Sequence, residues 1–268
     1  MDPIYHQLDR HLPKLRPHLP TFVASLVLFT AIHLVLVPLF ARYLFYAQWK
    51  GMGKRKRNNW AIHIVSQVHA LVVLPLALRC LALPELNEDR VYGWHERSGT
   101  VQAVAAAYFL WDFLDAVFNF EDIGFVLHGL ACFVIYFESF QPFLAYYASR
   151  CLLWEASTIF LNIHWALDKM NLTGGILQAF NGVCLILAFF FVRIVYGGYT
   201  SYQFYISLYE NRANISTTAL VSISVGNVLL QGLNWFWLGK MVSALRKRFT
   251  PFTPKTNGVN GHKTTKTE

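Results

Sequence analysis

The chain has 268 residues, 55% hydrophobic and only 14% charged, with a mean hydropathy of +0.36 and a formal net charge of +8. Such a balance excludes an ordinary soluble enzyme domain and a disordered chain. The Lys and Arg lie beside the ends of apolar blocks, at Lys50 to Arg57 and Arg246 to Arg248, where they orient spans in a membrane rather than bind nucleic acid.

Residues 1–20, with Pro3, Pro13, Pro17 and Pro20, read as an N-terminal tail. The apolar block that follows is too long for a signal-peptide core and lacks a small-residue cleavage site, so residues 21–47 are expected to be a retained first span. Further spans are expected at 60–83, 99–119, 123–140, 142–167, 175–197 and 216–239, each helical because an open strand edge in lipid leaves backbone groups unpaired. Gln141-Pro142 closes the short fourth span with a turn, which predicts a tight hairpin or an irregular helix pair for spans four and five. The expected fold class is an all-α polytopic membrane protein of about seven transmembrane helices. Residues 249–268 lack apolar content and read as a disordered cytosolic tail, in which Lys263 and Lys266 loosely resemble a dilysine retrieval signal.

Loop charge sets the expected orientation. Lys50, Lys54, Arg55, Lys56 and Arg57 in the first loop, with Lys240 and Arg246 to Arg248 after the last span, place that loop and the C-terminus in the cytosol. The second loop is acidic through Glu85, Glu88, Asp89 and Glu96 and is expected to be lumenal. Of two sequons, Asn214-Ile215-Ser216 falls on the lumenal side and Asn171-Leu172-Thr173 on the cytosolic side. Four cysteines, Cys80, Cys132, Cys151 and Cys184, have no metal-ligand spacing and read as small hydrophobes, so no metal or cofactor is expected.

An ionisable group at the centre of a membrane helix costs about 2.5 to 3.5 kcal/mol on insertion scales, so each one needs a reason. Span three carries Asp112 and Asp115, span four His128, span five Glu155 and Asn162, span two His69, and span six Asn181 and Arg193. Asn227, Gln231 and Asn234 recur at i, i+4, i+7, and Glu155, Thr158 and Asn162 at i, i+3, i+7, so each set forms a stripe that turns away from lipid. The stripes are expected to converge on one polar cavity open to the cytosol. Amide stripes alone serve as interhelical glue, worth about 0.6 kcal/mol per pair, whereas Asp112, Asp115, His128 and Glu155 point to a ligand or reaction site. Arg193 reads as structural, snorkelling to the lumenal interface. No zinc HExxH, P-loop, dinucleotide or GxSxG signature is present, which leaves acid and base work by a histidine and a carboxylate as the available chemistry.

The stretches Tyr108-Phe-Leu-Trp-Asp-Phe-Leu-Asp115, Phe125-Val-Leu-His-Gly-Leu-Ala131, Glu155-Ala-Ser-Thr-Ile-Phe-Leu-Asn162, Asn181-Gly182 and Leu233-Asn-Trp-Phe-Trp237, in that order, resemble the TLC-domain family, which includes ceramide synthases, translocon-associated membrane proteins and small lipid-homeostasis proteins. The resemblance covers roughly residues 60–248 and implies a six-helix barrel around a lipid-sized cavity, preceded by one extra span. Two departures matter. Ceramide synthases carry paired histidines where this chain has His128-Gly129, and a His-Asp-x-Ser-Asp stretch where it reads Arg150-Cys-Leu-Leu-Trp-Glu-Ala-Ser157.

The leading expectation is therefore a lipid-binding or lipid-handling protein of the endoplasmic reticulum that influences membrane lipid composition, with Glu155, Asn162, His69 and Asn181 on the lipid. The alternative is an acyl-CoA-dependent N-acyltransferase, with His128 as general base and Asp112 or Asp115 orienting it. A third reading, a translocon-associated interaction protein, makes the stripes packing glue. Expected partners are membrane lipids, with acyl-CoA under the enzyme reading and no nucleic acid.

Overall fold

A computed structural model describes residues 10–249; the first nine residues and the tail from 250 onward, with Lys263 and Lys266, lie outside the described residues. The described chain is a bundle of eight principal helices and contains no strand. They are α1 (Leu15–Leu44), α2 (Lys54–Cys80), α3 (Glu96–Phe118), α4 (Ile123–Glu138), α5 (Ala145–Cys151), α6 (Glu155–Lys169), α7 (Ile176–Asn211) and α8 (Thr217–Phe249). Five of them (α1, α2, α3, α7 and α8) are long and apolar enough to cross a membrane, and α4 is a shorter apolar helix. The all-helical, multi-pass architecture matches the expectation.

Several boundaries differ from the sequence reading, each for a local reason. The first span begins at Leu15 rather than 21, because Pro17 falls in its opening turn, where a missing N–H is harmless, and Pro20 is carried inside the helix. The expected single span over 142–167 is broken. Leu144 takes the left-handed conformation (φ 58°), α5 follows, and a 3-10 turn over Leu152–Trp154 links it to α6. The sixth span does not end at residue 197 but runs to Asn211, making α7 36 residues long. Within it the stretch Phe189–Tyr196 is a π-helix, as is Ile32–Leu36 in α1, where Pro38 cannot supply the N–H that the carbonyl of Leu34 would accept.

Helix α3 is the hub. Ala103, Ala105, Ala106 and Ala107 are fully buried, and such small side chains let α1 and α4 approach it closely. At the α3–α4 crossing Gly129 lies so near α3 that a Cβ built there would stand 2.9 Å from both the Cα and the N of Phe113. This contact accounts for the missing second histidine: the backbone has no room for a side chain beside His128.

The helices alternate in direction, so the start of α2, the ends of α3, α6 and α8 and the start of α4 gather at one face. Arg55 Nε donates to Glu121 Oε1 (2.8 Å) there, and Lys240 Nζ lies 3.8 Å from Asp122. This is the basic end of the bundle. At the opposite end His18 Nε2 lies 2.9 Å from Glu96 Oε2, pinning the start of α1 to α3.

Candidate functional site

A cavity of about 410 Å³ opens from the basic end into the bundle, within the usual range for a small-molecule or lipid-headgroup pocket. Asp112, Asp115, His128, Glu155 and Asn162 all line it, brought together from α3, α4 and α6. Aromatic side chains, among them Tyr108, Phe109, Trp165 and Trp237, form much of the remaining wall.

The carboxylates of α3 differ in their surroundings. Asp115 accepts from Asn58 Nδ2 (3.3 Å to each oxygen) and from Asn119 Nδ2 (2.9 Å), and His33 of α1 stands behind, its Nε2 2.8 Å from Asn58 Oδ1. Asp115 is thus the node of a network that ties α1, α2 and α3 together at the cavity mouth. Asp112, one turn deeper, has no hydrogen-bond partner among the described residues and faces the cavity beside Gly129.

Asn162 is held by α2: His63 Nδ1 lies 2.8 Å from its Oδ1, and its Nδ2 donates to Ser66 Oγ (3.2 Å). The His63 ring stacks on Trp165 at 3.9 Å, so the wall formed by α2 and α6 is fixed on both sides.

Glu155 follows the 3-10 turn, which aims its side chain inward. It is 6% exposed, with Oε1 3.7 Å from Arg193 Nη2 and Oε2 3.8 Å from His69 Nδ1. Arg193 does not snorkel. It is 6% exposed and donates to Ser157 Oγ (2.8 Å), Thr158 Oγ1 (3.1 Å) and Asn234 Oδ1 (3.3 Å). The π-helical stretch presents it to α6 and α8, and the extra length of α7 leaves it at mid-helix rather than at an interface. This cation was missed as a site residue because the sixth span was expected to end four residues after it; the buried carboxylate at Glu155 was the signal that a buried cation was needed.

Two residues expected on the lipid do not line the cavity. His69 is fully buried behind Glu155, stacked on Tyr108 at 3.7 Å with the rings nearly parallel (5°). Asn181 donates to the carbonyl of Phe160 (2.9 Å) and serves to join α7 to α6. The expected base and orienter pair is likewise not formed. Among the described residues the polar neighbour of the His128 ring is the Cys132 thiol (3.9 Å from each ring nitrogen); the ring stands edge-on to Phe109 and Trp237, and neither Asp112 nor Asp115 is bonded to it. Among the described residues no group of three or more His, Cys, Asp or Glu could hold a metal ion.

Beyond this layer lies a second, constricted chamber of about 50 Å³. Phe109, His128, Glu155 and Arg193 line both spaces, so they form the partition between a polar outer chamber and a largely apolar inner one.

No solved structure matches the chain. The family model described as the TLC domain matches residues 59–243. An uncharacterised TLC domain-containing protein of Schizosaccharomyces pombe is 36% identical over 88% of this chain and 82% of its own length. TLC domain-containing protein 4-B of Danio rerio is 30% identical over 80% and 87%, and Topoisomerase I damage affected protein 4 of Saccharomyces cerevisiae 26% identical over 87% and 86%. From α2 to the greater part of α8, including every side chain that lines the outer chamber except Asn58, the chain belongs to the TLC-domain family.

Proposed function

We propose that this protein holds a membrane lipid inside its helix bundle and through that binding influences lipid composition, acting in an internal membrane such as the endoplasmic reticulum. The observation that carries the reading is the outer chamber, which joins ionisable side chains to aromatic walls in one space of lipid-headgroup size. A polar surface of this kind inside an apolar bundle is costly unless a polar occupant compensates it.

The acyltransferase reading has one observation in its favour: the His128 ring reaches the chamber with no strong hydrogen-bond partner. Against it stand the Gly129 contact, which leaves no space for a paired histidine, and the absence of a carboxylate bonded to His128. Lipid handling is therefore preferred.

The deciding experiment is lipid analysis of the purified protein alongside an assay for radiolabelled acyl transfer from acyl-CoA to amine-bearing and lysophospholipid acceptors, in wild type and His128→Ala. A co-purifying lipid without turnover is the expected result. Transfer that disappears in the variant would replace this reading by the enzyme, and a protein with neither lipid nor turnover would overturn both.

A further inference from the structure

The outer chamber is charged unevenly along its depth. Four carboxylates line it: Asp112, Asp115, Glu121 and Glu155. Glu155 is met by Arg193, Glu121 by Arg55, and Asp115 by the amides of Asn58 and Asn119, with His33 Nδ1 3.9 Å away. Asp112 has neither a hydrogen bond nor an ion pair among the described residues, although it lines the chamber. A carboxylate at that depth stays an anion only when a cation meets it. Tyr108 and Phe109, one turn deeper on the same face of α3, and Trp237 of α8 line the same space, and aromatic faces attract a cation.

The rim has the opposite sign. Lys240 of α8 lines the chamber mouth, is exposed, and holds its Nζ 3.8 Å from Asp122 Oδ2, beyond hydrogen-bond reach. Asp122 is the N-cap of α4, its Oδ1 accepting from the Gly124 N–H at 2.7 Å. Helix α4 measures the separation of the two charges. Lys240 stands at Asp122, and Asp112 stands at Gly129, where a Cβ would lie 3.1 Å from its Oδ2. The rise from residue 122 to residue 129 is about 10 Å. A phosphodiester bearing an ethanolamine or choline arm, with a charge-assisted contact of about 2.8 Å at each end, has that span.

From this, and resting on the lipid-holding reading above, we infer that the outer chamber binds the headgroup of a zwitterionic phospholipid, its phosphate on Lys240 at the rim and its cationic nitrogen on Asp112 among the aromatic rings. Arg193 takes no part, because Glu155 and three side-chain oxygens already occupy it. The acyl chains stay outside the chamber. Helix α8 packs on α4 and on α7 from Phe189 onward, and beside the rim it has no comparable packing on α6 or on the first half of α7, so the chains leave sideways there.

The test is displacement of tritiated dioleoyl phosphatidylcholine from the full-length protein in dodecyl maltoside. The unlabelled competitors are dioleoyl phosphatidylethanolamine, phosphatidylcholine, phosphatidylglycerol and N-acetyl phosphatidylethanolamine. The first two should displace the label about tenfold more effectively than the last two, which keep the phosphate and chains but lack the cation. Ethanolamine ahead of choline would assign the nitrogen chiefly to Asp112, and the reverse order chiefly to the aromatic faces; both agree with the inference. Asp112→Asn should bring the zwitterionic lipids down to the phosphatidylglycerol level. Lys240→Gln should weaken all four while the preference for the cation persists. Equal displacement by all four in wild type, a preference that survives Asp112→Asn, or affinities that Lys240→Gln leaves as they were would each overturn the inference. If Asp112→Asn does not fold, N-acetyl phosphatidylethanolamine decides, because it removes the cation from the ligand instead of the anion from the protein. Failure of the wild type to bind any lipid would overturn the lipid-holding reading as well, whereas tight binding indifferent to the headgroup, or a co-purifying lipid without phosphate, would overturn this inference alone.

Discussion

Glu155 Oε1 and Arg193 Nη2 stand 3.7 Å apart with both side chains more than nine-tenths buried, and the two residues come from successive helices, α6 and α7. A buried pair of this kind contributes little net stability when intact, because desolvation offsets the attraction, but removing one member leaves the other charge uncompensated. Arg193→Met is therefore expected to destabilise the protein by about 3 kcal/mol, and the double variant Glu155→Gln with Arg193→Met by much less. Thermal or denaturant unfolding of the four proteins in detergent closes the cycle. A loss in the double variant equal to the sum of the two single losses would show that the pair is not coupled.

The α3–α4 crossing sets a second expectation. With Phe113 backbone atoms 2.9 Å from an ideal Cβ, even Gly129→Ala should force the helices apart and cost about 1 to 3 kcal/mol. Gly129→His, which restores the paired histidines of ceramide synthases, should be worse and should gain no acyl transfer. Normal thermal stability of Gly129→Ala would mean that the crossing yields readily, and the explanation offered for the missing histidine would fall with it.

Much of the site was legible before the structure, and the reasons are specific. Asp112, Asp115, His128, Glu155 and Asn162 were singled out because ionisable or amide side chains inside apolar helices must face the interior, and all five reach one cavity. Helical periodicity gives the face that a residue occupies, but not its neighbour across the bundle. Hence Asn181, on an inward stripe, was grouped with the site although its amide is taken by the Phe160 carbonyl. Arg193 was lost for a different reason. Hydropathy marks the apolar core of a helix, and α7 continues through a polar stretch, Thr200 to Gln203, so its length and its true midpoint were hidden. The turn that ends the fourth span was foreseen at Gln141-Pro142, but the 3-10 turn before α6 was not; it and the left-handed Leu144, which aim Glu155 inward, carry no Gly or Pro to announce them.

The network at the cavity mouth makes α1 part of the site rather than a separate anchor. Asn58 bridges His33 of α1 to Asp115 of α3, so Asn58→Ala removes hydrogen bonds on both sides and leaves Asp115 with the Asn119 hydrogen bond and the longer 3.9 Å approach of His33 Nδ1. A loss of about 2 kcal/mol is expected, together with faster proteolysis between α1 and α2 near Gly51 and Gly53. Should cleavage there be no faster than in wild type, α1 must be held chiefly by its apolar contacts and by the His18–Glu96 pair at the far end.

Orientation decides which compartment supplies the outer chamber, and the two ends of α2 are suited to test it. Lys56 is exposed in the first turn of α2 at the basic end, and Tyr92, 40% exposed, lies in the loop between α2 and α3 at the opposite end. Positive charge is retained on the cytosolic side of a span, so the expectation from the Lys54–Arg57 cluster is a chamber mouth that faces the cytosol. In sealed microsomes of a cysteine-free background, Lys56→Cys should react at once with a membrane-impermeant maleimide, and Tyr92→Cys only after permeabilisation. The reverse pattern would turn the mouth toward the lumen and remove soluble acyl-CoA as a co-substrate, because the charged carrier would be on the wrong side of the bilayer. Equal reactivity of both positions before permeabilisation, with the vesicles shown to be sealed, would contradict the multi-pass arrangement of α2 itself.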